Sequence, residues 1–418
     1  MSSLNTQQNL KKGLPIVYLV AFIDMLGFGT IIPIISYFTE HLVTNSNLDI
    51  TYKAFYGGIL MSSYSLMQFI FAPILGRLSD KYGRRPVLFL SVFGNVLGYA
   101  MWAISNNFWF FLASRLISGG TGGNISVAQS YIADVTTDKE RAKYMGMFGA
   151  LFGLGFIFGP ALGGMMSKFD ISNLSVGWLT LNKFSMVGVV TLVLSLINLL
   201  LIGFALVEPI NRKANIRLQK KVAAFSNLVR HLGGGKTGRL FLVYFLISLS
   251  FVNLEASFAW DLMNRFKLEK HQTSYIFVYL GIMMALIQGG LYRSLLKRYS
   301  ELSLMKVGLA VTALGLIVLV AFDQYGLLFL SVFLLALGMG MGNPSITALA
   351  SLYSSKDEQG VNLGMLQSYG SLARVIVPFT ALYIYSKVDP AMPYYMGIGL
   401  AVLALLFAIK LPEPKKQS

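Results

Sequence analysis

The sequence predicts an all-α, polytopic membrane protein with 12 transmembrane helices in two pseudo-symmetric six-helix bundles. Three observations carry that expectation. Of 418 residues, 55% are hydrophobic and only 12% charged, whereas a soluble globular domain carries about 25% charge. Twelve long apolar runs follow one another, each near the ~20 residues that cross a bilayer as a helix, and none alternates as a barrel strand does. The 34 Lys and Arg residues are shared very unequally between alternate connections. With no Cys in the chain, a disulfide framework and a thiolate metal site are both excluded.

The runs lie at 14–38, 55–75, 86–104, 108–133, 143–167 and 184–207, and then at 240–263, 272–295, 304–322, 326–349, 362–386 and 391–410. Lys11 and Lys12 give the first run the look of a secretory signal. It is too long for one, carries Asp24 in its middle and lacks a small-residue cleavage site, so it reads as a retained span. The expected domains are an N-terminal bundle over 1–207, a basic cytoplasmic linker over 208–239 containing Gly233, Gly234 and Gly235, and a C-terminal bundle over 240–418. The linker is either an amphipathic helix on the anionic inner leaflet or a solvated tether.

With the N-terminus inside, 25 basic residues fall on inner segments and seven on outer ones, while Arg115 and Arg374 lie within spans. This asymmetry places both termini in the cytoplasm. The net charge of +16 is therefore a topology signal; the bilayer is the expected partner and nucleic acid is not. Internal repetition supports the two halves. Gly76 and Gly94 recur as Gly290 and Gly308, and Gly120, Gly122, Gly146, Met147 and Pro160 recur as Gly338, Gly340, Gly364, Met365 and Pro378. Parallel repeats holding a substrate between them near the bilayer midplane are a transporter plan.

The inner loop after the second run reads G-R-L-S-D-K-Y-G-R-R-P from Gly76 to Pro86. Its glycines permit sharp turns, and Pro86 suits the first turn of a helix. Asp80 amid Arg77, Arg84 and Arg85 can latch two helix ends, its carboxylate favouring a helix N-terminus. In the fifth run, Gly155, Gly159 and Gly163 share one helical face, so a neighbouring helix can approach closely, and Pro160 suits a bend.

These stretches resemble the major facilitator superfamily. The loop is similar to its G-x-L-x-D-R-x-G-R-R signature at Gly76, Leu78, Asp80, Gly83, Arg84 and Arg85, with Lys81 where Arg is usual. Arg115 and Gly119 resemble its R-x-x-x-G element, and Gly155, Gly159, Pro160, Gly163 and Gly164 its antiporter-associated motif. Asp24, Gly27, Gly29 and Pro33 resemble the opening of the tetracycline-efflux-like drug/proton antiporters. The C-terminal loop has Ser294 at the place of Asp80. The resemblance implies alternating access, a cavity lined by the first, fourth, seventh and tenth spans, a leak-preventing seal in the fifth, and a bacterial inner-membrane location. It also implies a proton gradient as energy source, with no cofactor, for a chain expected to act as a monomer. An acid expected in the ninth run is missing from 304–322, which sets tetracycline itself apart as a substrate.

A charge in hydrocarbon costs at least about 2.5 kcal/mol without a partner or water, so intramembrane ionisable groups are the candidate site. Asp24 is expected to couple protonation to substrate movement, its proton affinity modulated by Arg115, with Glu255 as a second candidate. A permanent Asp24–Arg115 ion pair is the alternative. Asp261 reads as interfacial, and Arg374 as either an anion ligand or a structural partner of a carbonyl or carboxylate. Gln129, Asn253 and Asn343, with Tyr64, Gln68, Phe251, Phe258, Trp260 and Gln288, could line a cavity for a small amphipathic molecule. Gly338, Gly340, Gly342, Asn343 and Pro344 form a breakable, gate-like stretch.

No G-x-x-x-x-G-K-[ST] motif is present, which argues against ATP-driven pumping. His41, His231 and His271 are too scattered for a metal site, and short loops leave no room for a membrane enzyme or a sensor output domain. The leading expectation is proton-coupled efflux of small amphipathic compounds. The alternative is proton-coupled transport, in either direction, of an anionic metabolite or siderophore, favoured by Arg115 and Arg374.

Overall fold

The computed structural model describes residues 12–174, 177, 180–209, 234–354 and 359–414. Among these the secondary structure is helical, without a strand. Bilayer hydrocarbon offers no hydrogen bonds, so a spanning backbone closes its own, and helices do this segment by segment.

The chain begins with α1 (Leu14–Ile31), a three-residue 3-10 turn over Ile32–Ile34, and α2 (Ile35–Asn45). Pro33, which lacks an N–H, lies in that turn. Then come α3 (Lys53–Tyr82), α4 (Arg84–Ala103), α5 (Phe108–Thr121), α6 (Asn124–Val135), α7 (Asp138–Met166) and α8 (Ser185–Ala205). The second set is α9 (Gly235–Asn264), α10 (Lys270–Leu286), α11 (Tyr292–Leu295), α12 (Glu301–Ala321), α13 (Tyr325–Leu352), α14 (Gln359–Lys387) and α15 (Met392–Ile409).

Nine helical stretches among the described residues are long and apolar enough to cross a membrane. The α5–α6 pair, α7 and α14 stand where the fourth, fifth and eleventh apolar runs were expected. The fourth run is not one helix. It breaks at Gly122 and Gly123, where a Cβ would sit 2.9 Å from Ser118 O and 2.7 Å from Ala72 Cα respectively. The eighth run passes through a π-helical turn at Ile287–Leu291 that contains Gly289 and Gly290. Residues 210–233 lie outside the described residues, and with them the expected character of the basic linker.

The chain divides into two compact units, one of Met1–Lys53 with Ser63–Val222 and one of Ala54–Ser62 with Ala223–Ser418. In the first, Val17, Val20 and Ala21 of α1 meet Leu88 and Val92 of α4, Val127 and Tyr131 of α6 and Ile202 of α8. In the second, Leu240 and Val243 of α9 pack with Met305 and Leu309 of α12, Ile346 and Leu349 of α13, and Ala401 and Ala404 of α15. The outward faces are apolar too: Leu196, Leu200 and Phe204 of α8, and Leu403 and Leu406 of α15, are exposed. Helices apolar on both faces are buried on one side and face lipid on the other.

Candidate transport site

Asp24 sits mid-way along α1, almost wholly buried. Asn95 of α4, itself buried, donates from Nδ2 to its Oδ1 at 3.1 Å. Thr121, the last residue of α5, donates to Asn95 Oδ1 at 3.0 Å. Asn124 faces the same carboxylate from the start of α6. Asn124 is the first residue of α6, directly after the Gly122–Gly123 break. Asp24 Oδ2 and both Asn124 side-chain atoms are buried and make no hydrogen bond among the described residues.

Arg115 of α5 does not pair with Asp24; no ion pair joins them among the described residues. Its guanidinium lies over the rings of Phe111 at 4.9 Å, Trp102 at 5.0 Å and Tyr64 at 5.6 Å. Cation–π contact with three rings partly replaces the lost hydration, yet Nε and Nη2 have no hydrogen-bond partner among the described residues. The phenol groups of Tyr64 and Tyr99 interact electrostatically with both Asp24 and Arg115. Any influence of the arginine on the acid therefore runs alongside two tyrosines.

Glu255 of α9 is equally buried, and here there is a counter-charge: Arg374 Nε of α14 lies 3.9 Å from Oε2. Both carboxylate oxygens lack a hydrogen bond among the described residues, so the pair is held by charge and not by hydrogen-bond geometry. Asp261, two turns further along α9, pairs with Arg265 at 3.4 Å. Arg265 also bonds Asp323 and the carbonyls of Leu319 and Phe322. Burial opposes its charge, but the two aspartates outweigh that and hold its proton more tightly than usual.

The Gly76–Pro86 loop closes a charged latch. Arg84 Nη1 meets Asp80 at 2.6 Å and its Nε meets Asp134 of α6 at 2.8 Å. The carboxylate at the α4 N-terminus, expected from Asp80, is Glu208, which accepts from Arg84 N at 2.9 Å and Arg85 N at 2.8 Å. Asp80 is turned away to Arg84, and Glu208 arrives from the end of α8. Gly83, at φ +107°, is open to no other residue without strain, and a Cβ there would meet Glu208 Oε2 at 2.7 Å. Arg85 adds bonds to the carbonyls of Ile202 and Gly203.

The glycine face of α7 packs on α1 of its own unit. A Cβ at Gly155 would meet Phe22 O at 2.5 Å, and one at Gly159 would meet Gly29 Cα and Leu26 O at 2.7 Å. Gly163 abuts Thr30, and Gly164 is buried beside it. Pro160 lies within the unbroken helix, 3.1 Å from the Cβ position of Gly29.

A sequence model described as "Major Facilitator Superfamily" matches residues 17–236 and 240–418. The chain belongs to the major facilitator superfamily. It is a membrane transporter with a small-molecule substrate. It is similar to the tetracycline resistance protein, class H, of Pasteurella multocida (29% identical, covering 96% of this chain and 95% of that one). The class G protein of Vibrio anguillarum is 31% identical over 94% of this chain and 95% of its own. Among solved structures, the human organic anion transporter MFSD10 matches with a TM-score of 0.70 at 26% identity, covering 96% of this chain and 99% of that one. A bacterial homolog of the human lysosomal transporter Spinster, at 13% identity and a TM-score of 0.74 over 95% of each chain, shares the fold.

The remaining expected residues of this facilitator scatter. Gln68 donates to Gly122 O at 2.8 Å, bracing the break between α5 and α6, and Gln129 is half-buried on α6. Asn253 donates to Leu249 O within its own helix. Asn343 and Gln288 are exposed. The stretch from Gly338 to Pro344 lies inside the continuous α13. Two of its glycines pack closely, with Cβ positions 2.7 Å from Gly308 O at Gly338 and 2.7 Å from Ile287 Cγ2 at Gly340, while that of Gly342 meets nothing within 4 Å. Asn95, Thr121, Asn124, Asp134 and Glu208 were missed. The two amides had a signal, being polar groups in strongly apolar runs; Glu208 had none, since only the fold brings the end of α8 to the Gly83 turn.

Proposed function

We propose that this facilitator is a proton-coupled exporter of small amphipathic, drug-like compounds, working as a monomer by alternating access in a bacterial inner membrane, with both termini cytoplasmic. The proton gradient is its energy source, and it uses no cofactor. Its organisation is a six-helix bundle over 1–207, a linker over 208–239 and a second bundle over 240–418. The observation that carries the reading is Asp24, a buried carboxylate with one amide bond and no cation on it among the described residues, which can take up a proton without breaking an ion pair. The tetracycline resistance relatives, alike over nearly the whole chain, support efflux as the direction. The acid-free ninth run argues for compounds other than tetracycline.

In this reading Asp24 exchanges the proton and Glu255 is a second exchange site restrained by Arg374. The Gly76–Arg85 latch governs the cytoplasmic side, and the Gly155–Gly164 face seals α7 to α1. Gln129, Asn253 and Asn343 are substrate contacts. Cells expressing the chain are expected to resist several cationic or zwitterionic drugs, and Asp24→Asn to abolish that resistance while the protein still reaches the membrane. A panel showing no change for any such drug favours the second reading, transport of an organic anion. Arg115, a buried guanidinium with no carboxylate of its own among the described residues, is the observation behind that alternative.

A further inference from the structure

Among the described residues one hydrogen bond to Asp24 meets the geometry, and the amide that gives it has its own orienter. Asn95 Nδ2 donates to Asp24 Oδ1 at 3.1 Å, and Thr121 Oγ1 donates to Asn95 Oδ1 at 3.0 Å. A primary amide offers a donor at one end and an acceptor at the other, and a flip exchanges them. A hydroxyl proton on Oδ1 holds the donor end towards Asp24. It also polarises the amide, and hydrogen bonds in such a chain strengthen one another. Thr121 is placed for this by geometry. It is the last residue of α5 before the Gly122–Gly123 break, and Ser91 of α4 donates to its carbonyl at 2.6 Å. The same hydroxyl has Ile117 O at 2.9 Å to fall back on, so losing the amide does not leave it unsatisfied.

We propose that Asn95 and Thr121 are positioning residues that set the pH at which Asp24 exchanges its proton, Asn95 by donating to the carboxylate and Thr121 by holding the amide donor-first. This inference rests on Asp24 as the coupling site. The other groups facing Asp24 are Asn124 of α6 and, electrostatically, Tyr64 of α3 and Tyr99 of α4. Arg115 of α5 interacts with the same two tyrosines, α7 presents Gly155 and Gly159 to α1, and α8 carries no titratable residue. A donor to the ionised form favours that form, and Asn95 is the one that meets hydrogen-bond geometry among the described residues. Removing it makes the protonated acid persist to higher pH.

Infrared difference spectra of the full chain in lipid nanodiscs test this, the protonated-carboxyl band being assigned by its loss in Asp24→Asn. In Asn95→Leu the band is expected to titrate about one pH unit to the alkaline side of the unmodified protein, roughly a tenfold tighter hold on the proton. Thr121→Val moves the midpoint the same way by less, and Thr121→Ser, which keeps the hydroxyl, restores it. Asn95→Ala carries the test if the leucine variant fails to fold. A band present in all variants and titrating alike in each overturns the proposal while leaving Asp24 as the coupling site. A wild-type Asp24 that never titrates, with coupling intact in Asp24→Asn, overturns both.

Discussion

Each unit holds a deeply buried carboxylate and an arginine in its spans, Asp24 and Arg115 in the first, Glu255 and the half-buried Arg374 in the second, and the two pairs are treated in opposite ways. In the first, Asp24 is held by an amide while Arg115 is enclosed by Phe111, Trp102 and Tyr64, the two charges kept apart. In the second, Glu255 and Arg374 face each other at 3.9 Å. An acid neutralised by a fixed cation resists protonation, because losing its charge strands the partner. An acid on an amide can change state at lower cost. In the proposed function, proton exchange therefore falls first to the unit that keeps its charges separate.

The scaffolds differ likewise. In the first unit α7 lies against α1 backbone to backbone, so Gly159→Leu must push apart Gly29 and Leu26. We expect it to cost more than about 3 kcal/mol, at or above the upper range for overpacking, read as a large fall in the thermal midpoint of detergent-solubilised protein. Gly364 of α14, the counterpart of Gly146 in the internal repeat, has nothing within 4 Å of its Cβ position, and Gly364→Ala should leave that midpoint unchanged.

Next in size is Arg374→Leu. It leaves Glu255 buried and uncompensated, an expected loss of about 3 kcal/mol. Glu255→Gln in the same chain should recover most of it, giving a coupling energy of about 1–3 kcal/mol in a double-mutant cycle. Smallest is the corresponding cycle in the first unit. Asp24→Asn and Arg115→Leu should add to within about 0.5 kcal/mol. A coupling as large as that of Glu255 with Arg374 would mean that the unit works through an ion pair after all.

Much of the fold was legible because hydrocarbon leaves the chain few choices: runs of spanning length, and glycines at helical spacing in 143–167. The candidate site was legible as far as charge goes, since Asp24, Arg115, Glu255 and Arg374 stand out from apolar surroundings. Which charges meet was not. Arg115 and Asp24 belong to the fourth and first spans, and only the packing of Trp102 and Phe111 shows the guanidinium enclosed in rings. The break at Gly122–Gly123 was hidden because hydropathy runs through it undisturbed, and with it went the role of Asn124. Glu208 looked like the first residue of a linker, because its partners, the N–H groups of Arg84 and Arg85, are more than 120 residues away in sequence.

The central claim is that Asp24 carries the coupled proton. Inverted membrane vesicles given an imposed inside-acid pH gradient measure it directly, through accumulation of a drug to which the chain confers resistance and the matching dissipation of the gradient. Asp24→Asn is predicted to abolish gradient-driven accumulation, at least a hundredfold, while Glu255→Gln retains a measurable part. Undiminished accumulation by Asp24→Asn, at equal protein in the membrane, would contradict the account.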